Sequence, residues 1–357
     1  MVFAASCSDP MFNKLVLPPE RMECEEKGTA EMMCIELTSR CAGSCSFCFA
    51  SSTDAKDSQT LPADLVRKLI DQAVALGVRE VLYTGGDPLL HPDWFDLTLY
   101  AVEKGLTVGI DINIMINQET ARRLCRLSES GLSLLVTHLD TLRQEVYDQV
   151  HTAPRTLEQK IRGFRYLQEA GFPLDKLMGV ITLSKPIIET IEETLDWLID
   201  EIGMRYVCIC SLKGIGFGKN LQHLEPSLSE YRRAHEYHAR KLGEHWLRIG
   251  PTDFGKYFCR TYFQVHANGA VSPCNPLREL SVGSIYQEEL RTIYERHRDH
   301  LLCRYEIKGY CGTECPNRDV CFGCRANAYY YLGDIQESDP KCWLNPHAPE
   351  YCYVEAT

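Results

Sequence analysis

A chain of 357 residues, 45% apolar and 24% charged, can bury one large core or two smaller ones and has the balance of an ordinary globular protein. Its formal net charge of −11 argues against nucleic acid or an anionic membrane as partner, because both attract basic surfaces. Eighteen cysteines in bunches, rather than spread along a short chain, point away from a secreted disulfide scaffold and towards metal or iron–sulfur ligation.

The start, "MVFAASCSDP", has a cysteine where a lipoprotein cleavage box would, but lacks a basic region and an apolar stretch before it. We read it as the disordered start of a cytoplasmic protein, and no apolar run reaches the roughly 18 residues of a membrane span. "MCIELTS" (33–39) is the first expected strand. Helical apolar spacing over 62–77 leads to a short strand at 80–84, which runs into Gly85-Gly86. The alternation repeats: helix 93–105, strand 106–112, helix 117–131, strand 132–140, helix 155–171, strand 177–183, helix 187–203 and strand 205–212. Six βα-type units predict an α/β fold, a parallel sheet curled into a partial (β/α)6 TIM-like barrel with its site at the carboxyl ends of the strands. After about residue 215 the pattern changes. One helix (227–246) precedes a cysteine-rich stretch with few long periodic segments, as in a small domain held by metal rather than by a core.

Cys41, Cys45 and Cys48 follow the first strand in "TSRCAGSCSFCFASS". Structural zinc takes four ligands, so a compact triplet without a nearby fourth fits zinc poorly. A [4Fe–4S] cluster held by three thiolates leaves one iron open, where a substrate or cofactor can bind. Gly85-Gly86-Asp87-Pro88 follows the second strand, at the same end of the sheet, where glycine permits close approach of the backbone.

The Cys-x3-Cys-x2-Cys spacing, with Phe47 before the last cysteine, resembles the signature of the radical S-adenosylmethionine (SAM) enzymes, and Gly85-Gly86-Asp87-Pro88 resembles their Gly-Gly-Glu-Pro turn. The resemblance implies that SAM is chelated by the open iron, meets Gly85, Gly86 and Asp87, and is cleaved to methionine and a 5′-deoxyadenosyl radical. Ribose and adenine contacts are implied at later strand ends, at Asn113, at His138 and Asp140, and near Thr182 to Lys185. Ile112-Asn113-Ile114 stands where the family has Thr-Asn-Gly, and Thr137-His138-Leu139-Asp140 is one residue longer than its Ser-x-Asp.

The later cysteines read Cys259-x9-Gly269-x4-Cys274, then Cys311-x3-Cys315-x5-Cys321-x2-Cys324-x17-Cys342. This is similar to the SPASM extension of the same family, which binds two auxiliary [4Fe–4S] clusters, although the middle spacing is reversed from the common x2, x5, x3. The resemblance implies an inner cluster on Cys259, Cys274 and Cys324 and an outer one on Cys311, Cys315, Cys321 and Cys342. Asp253 stands where the inner cluster's usual fourth cysteine would be; Asp253, an open iron, or a spare thiol such as Cys303 or Cys352 remain alternatives. The implied cofactors are SAM and three [4Fe–4S] clusters.

Three readings follow: oxidative modification of a ribosomal peptide by thioether or carbon–carbon crosslinking; the same machinery on a small molecule, such as an aminocyclitol, a sugar or a tetrapyrrole; or a non-catalytic iron–sulfur scaffold. Asn275 follows Cys274 where sulfatase-maturing members carry Asp, which speaks against that branch. The expected partners are a peptide or small-molecule substrate, a flavodoxin or ferredoxin as electron donor and, because only 40 residues precede Cys41, either a separate leader-binding protein or none; neither nucleic acid nor membrane is expected. The expected division is an N-terminal extension (1–29), a radical SAM partial barrel (30–220), a bridging helical region (221–256), a SPASM domain (257–345) and a tail (346–357).

Overall fold

The computed structural model describes residues 7–153, 155–252 and 254–348. Two helices, α1 (Pro10–Leu15) and α2 (Pro19–Lys27), come first. Strand and helix then alternate: β1 (Met32–Thr38), α3 (Ala63–Ala75), β2 (Glu80–Gly85), α4 (Trp94–Glu103), β3 (Thr107–Ile112), α5 (Gln118–Ser130), β4 (Leu132–His138), α6 (Gln144–Val150), α7 (Thr156–Glu169), β5 (Leu177–Leu183), α8 (Lys185–Ile188), α9 (Ile191–Asp196) and β6 (Val207–Ser211). The rest is α10 (Leu228–Leu242), α11 (Gly255–Cys259), β7 (Tyr262–Val265), β8 (Ala270–Ser272), β9 (Gly283–Ser284), α12 (Leu290–Leu301), α13 (Gly309–Thr313) and α14 (Arg325–Leu332).

One sheet runs β6-β5-β4-β3-β2-β1-β7-β8-β9. Strands β1 to β6 are parallel neighbours in chain order, as the βα alternation predicts, and β7 pairs parallel with β1 before β8 and β9 turn back antiparallel. The sheet is therefore an open barrel with β6 at one edge and β9 at the other.

The strand period of two sorts each residue to one of two faces. Met33, Ile35, Leu37, Val81, Tyr83, Ile181, Val207 and Ile209 face the helices in the main core. Met32, Cys34, Leu82, Val136, Val180 and Cys208 alternate with them and line the inner face. Helix α3 shows how the helices cover the outer face. Its buried Val66, Leu69, Ile70 and Ala73 are spaced i, i+3, i+4, i+7, one stripe of a 3.6-residue helix. Each of the three larger side chains contributes about 1.5–3 kcal/mol by leaving water, so a charge at Leu69 would unseat the helix. Asn117 caps α5 by accepting from Thr120 N at 2.8 Å, and Ser227 with Glu230 forms a capping box on α10.

Three features depart from the expectation. The stretch expected to be disordered lies mostly outside the described residues, but two helices stand before β1 where none was expected. Asp9 caps α1, and Met11, Phe12 and Leu15 pack with Tyr206, Trp246 and Val136 in a second apolar cluster on the inner side of the sheet. Arg21 of α2 pairs with Glu31 at 3.0 Å and Glu80 at 3.1 Å. Secondly, the single helix expected over 187–203 is broken at Thr190. Its hydroxyl bonds Thr141 Oγ1 at 2.7 Å and donates to Ile187 O at 3.3 Å, and the second, local bond competes with helical ones; a π-helical turn over Trp197–Glu201 follows. Finally, β7 to β9 extend the sheet where no strand was expected, because segments of two to four residues are too short to show a period. Among the described residues no helix is long and apolar enough to cross a membrane.

Candidate active site

The loop after β1 carries the cysteine triplet, and its neighbours hold it. Cys41 N donates to Thr53 O at 3.0 Å, Ser46 N to Val150 O at 2.9 Å and Thr152 N to Ser44 O at 3.0 Å, and Ser44 takes a left-handed φ of 51°. Gly43 lies between two of the thiols: a Cβ there would stand 3.2 Å from Cys41 Sγ and 3.7 Å from Cys45 Sγ. Gly43 N and Asn113 Nδ2 both donate to Cys41 Sγ, at 3.3 and 3.6 Å. Burial pushes the Cys41 thiol up to about 11 and Cys45 higher still, so thiolates there need a cation beside them, which cluster iron would provide.

The turn after β2 needs both of its glycines. A Cβ on Gly85, whose φ is 127°, would lie 2.4 Å from Thr38 O, and one on Gly86 2.0 Å from Arg40 O. Gly86 N donates to Thr38 O at 2.8 Å and Asp87 N to Arg40 O at 2.6 Å. The turn is thus bonded to the root of the cysteine loop. Asp87 itself is buried and accepts from Leu89 N at 3.0 Å. Burial, with Asp111 nearby, pushes its carboxyl up to about 6.

Gly85, Gly86, Cys41, Cys45, Phe47, Cys48, Asn113, His138, Asp140 and Thr182 line one cavity of about 280 Å³ on the inner face of the sheet. Of the residues expected to meet SAM, Asp87 is not on its wall; it supports the turn from behind. Ser52 Oγ and Thr84 Oγ1, also on the wall, are buried with no partner among the described residues, as fits a wall that receives a polar ligand.

Asp111 and Lys160 on the wall, and His151 behind it, were not singled out in the sequence. Asp111 Oδ1 meets His138 Nε2 at 2.8 Å. Burial pushes the His138 imidazole down, but Asp111 outweighs it and raises its pKa. Asp140 takes His151 Nε2 at 2.9 Å and Thr182 N at 2.8 Å; burial pushes its carboxyl up and the bond to His151 prevails, lowering it. His151 stacks on Tyr147 with ring centroids 3.8 Å apart. Lys160, fully buried, donates to His138 O at 3.0 Å. Burial opposes its charge, yet Tyr147, Cys45 and Asp140 raise its pKa, so it remains a cation beside the triplet. Alternation marks Asp111 as inward-facing on β3, whereas nothing local marks Lys160 or His151. Ile114, at the family's glycine position, has a φ of 63°, and α7 makes room for its carbonyl with Gly163, where a Cβ would stand 1.9 Å away.

The far wall of the cavity reaches Cys208, Cys210, Asn275 and Pro276, so the interior abuts the cysteine-rich region. There Cys311, Cys315, Cys321 and Cys342 line a second, small cavity with Gly250 and Gly323. A Cβ on Gly323 would lie 3.2 Å from Cys311 Sγ, and one on Gly250 3.2 Å from Cys342 Sγ, while Gly323 N donates to Cys321 Sγ at 3.4 Å. The "CRA…DP-C" ending is built around Arg325, which donates to the carbonyls of Phe322, Gly323, Ile335 and Glu337, and Asp339, which accepts from Cys324 N at 2.8 Å. Cys274 lies within electrostatic reach of Cys324 and Cys303, and Cys259 packs against the cluster that holds Cys303. Asp253 and Cys352 lie outside the described residues. Among the described residues no three His, Cys, Asp or Glu side chains converge as ligands of a single ion would; the thiols surround volumes instead.

Residues 35–198 match the family model of the radical SAM superfamily. The chain is 27% identical over 344 residues to the AdoMet-dependent heme synthase of Methanosarcina barkeri, covering 87% of this chain and 95% of that protein. It is 26% identical over 342 residues to a PqqA peptide cyclase of Streptomyces rochei, covering 90% and 91%. The solved structure of Streptococcus suis SuiB bound to precursor peptide SuiA has the same fold, with a TM-score of 0.65 and 18% identity over 89% of this chain and 78% of that one. Residues 35–198 form a radical SAM domain, and the chain is a radical SAM enzyme with a cysteine-rich C-terminal region.

Proposed function

We propose that this enzyme oxidatively modifies a ribosomally made peptide, using a [4Fe–4S] cluster on Cys41, Cys45 and Cys48 and two auxiliary clusters on the C-terminal cysteines. The observation that carries this reading is a single cavity shared by the triplet, the Gly85-Gly86 turn and the wall facing the C-terminal region. Cys41, Cys45 and Cys48 would hold a cluster that, with SAM, would supply a hydrogen-abstracting 5′-deoxyadenosyl radical, and the C-terminal cysteines would hold clusters able to accept the electron the substrate then loses, its proton passing to solvent.

The chain's own residues bind and orient. Gly85 and Gly86 let the β2 backbone come close to the bound methionine group. Asp140, kept ionised by His151 and the Thr182 N–H, and Asn113 offer polar contacts at the strand ends. Lys160 places a positive charge beside Cys41 and Cys45 and offsets the negative charge of a thiolate-bound cluster. The apolar inner wall, including Met178, Val180 and Phe258, keeps water from a radical. A flavodoxin or ferredoxin supplies the electron.

Support for a peptide comes from the PqqA peptide cyclase relatives and from two solved structures of this fold that hold a precursor peptide or the Cp18Cys peptide. A second reading, a tetrapyrrole side chain, is favoured by heme synthase relatives whose lengths this chain matches over 95%. The reduced, reconstituted protein is expected to form 5′-deoxyadenosine from SAM. Turnover with cysteine-containing precursor peptides, and a peptide product lighter by two hydrogens, would support the first substrate. Turnover only with iron-coproporphyrin would replace it with the second. Absence of 5′-deoxyadenosine under every condition would leave only a non-catalytic scaffold.

A further inference from the structure

The inner auxiliary site lacks a fourth cysteine at its usual place in the sequence, and the structure brings another one to it. Cys303 follows α12, and its backbone has a φ of 48°. Cys303 N donates to His300 O at 3.1 Å and Arg304 N to Asp299 O at 2.8 Å. These two bonds make a Schellman ending, in which the left-handed position ordinarily belongs to glycine. A cysteine held there, 2% exposed, asks for a reason beyond ending the helix. It lies within electrostatic reach of Cys274 and Cys324, in a buried cluster against which Cys259 packs.

Donors lie about the group. The Tyr305 hydroxyl lies against the Cys303 thiol. Arg260 Nε, next to Cys259 in the chain, is buried without a partner among the described residues. Thiolates and cluster sulfides accept hydrogen bonds of this kind. Arg325 and Arg260 also place positive charge near Cys303, which a thiolate-bound cluster requires.

We propose that Cys303 joins Cys259, Cys274 and Cys324 as the fourth thiolate of the inner auxiliary cluster. The proposal rests on the reading that the C-terminal cysteines hold auxiliary clusters, and it commits that cluster to a role. With four thiolates it has no open iron, so it accepts an electron and does not bind substrate. A substrate thiol is then not coordinated there, and Asp253 is not a ligand.

The test uses the full chain, anaerobically reconstituted, with Cys41→Ala, Cys45→Ala and Cys48→Ala so that only auxiliary iron is read. This background is expected to hold about eight irons. Finding none would overturn the auxiliary-cluster reading and this proposal with it. Adding Cys303→Ala is expected to remove about four irons, or to convert the inner cluster to a three-iron form with a new EPR signal; Asp253→Ala is expected to leave count and spectrum as in the background. Cys303→Asp suits the left-handed backbone and guards against misfolding; it is expected to keep the cluster on an oxygen ligand with shifted g-values. Unchanged iron and EPR in both Cys303 variants would overturn the proposal, as would loss of the inner cluster in Asp253→Ala alone.

Discussion

The two halves of this molecule are held together by different means. In β1 to β6 each strand pairs with its neighbour over several residues, and the helices bury apolar stripes against the outer face. Beyond Cys303 the elements are only α13, of five residues, and α14, of eight, and the side chains that organise the chain are polar, with Arg325 clamping four carbonyls and Asp339 a backbone N–H. The first region can fold on burial alone. The second surrounds its thiols with little apolar surface, and on the function proposed above bound metal would supply the missing stability.

The sharpest way to break that comparison is to remove the iron. After chelation, amide hydrogen exchange over 303–345 is expected to rise towards the rate of an open chain, while β1 to β5 keep their protection. Equal loss in both regions would mean that the halves share one cooperative core.

The seam between them offers the next largest effect. Glu36 of β1 is buried and pairs with Arg278, accepts from Ala267 N at 3.1 Å and lies 3.3 Å from His266 Nδ1. Burial pushes its carboxyl up, but His266 and Arg278 prevail and lower it to about 2. A carboxyl with a depressed folded pKa stabilises fully above its unfolded value, here 4.5, and that contribution is lost as the pH falls from 4.5 towards 2. Glu36→Gln leaves Arg278 without its counter-charge and is expected to cost about 3 kcal/mol in denaturant unfolding at neutral pH. It is also expected to flatten the acid limb between 4.5 and 2. An unchanged limb would show that the seam is not electrostatic.

The smallest effect lies within the first region. Ile114→Gly relieves a left-handed β-branched residue, worth about 1–2 kcal/mol, but empties a fully buried site, worth about 2–5 kcal/mol. A net loss of about 1 kcal/mol is expected; a gain in stability would show that strain outweighs packing there.

What the sequence disclosed follows from distance along the chain. The triplet spans eight residues, and Gly85-Gly86 lies on the next strand, so spacing alone placed them at one end of the sheet. Alternation sorted β1 to β6 into two faces, and helical periodicity found α3, α5 and α7. Lys160 and His151 were not legible, because they reach the triplet from the α6–α7 segment across more than a hundred residues of chain and neither lies in a local pattern. Asp87 stood inside a motif, yet its side chain caps the following turn. Strands β7 to β9 are too short to carry a period, and Cys303 shows its place only once the end of α12 brings it beside Cys274 and Cys324.

The most direct measurement pairs two readouts on one protein. Chain carrying Cys41→Ala, Cys45→Ala and Cys48→Ala is reconstituted with iron and sulfide, reduced and given SAM. The expected result is no 5′-deoxyadenosine together with about eight retained irons, against about twelve in the unaltered chain, since only the triplet leaves an iron open beside Gly85 and Gly86. Undiminished 5′-deoxyadenosine from the variant would contradict the assignment of SAM cleavage to this loop.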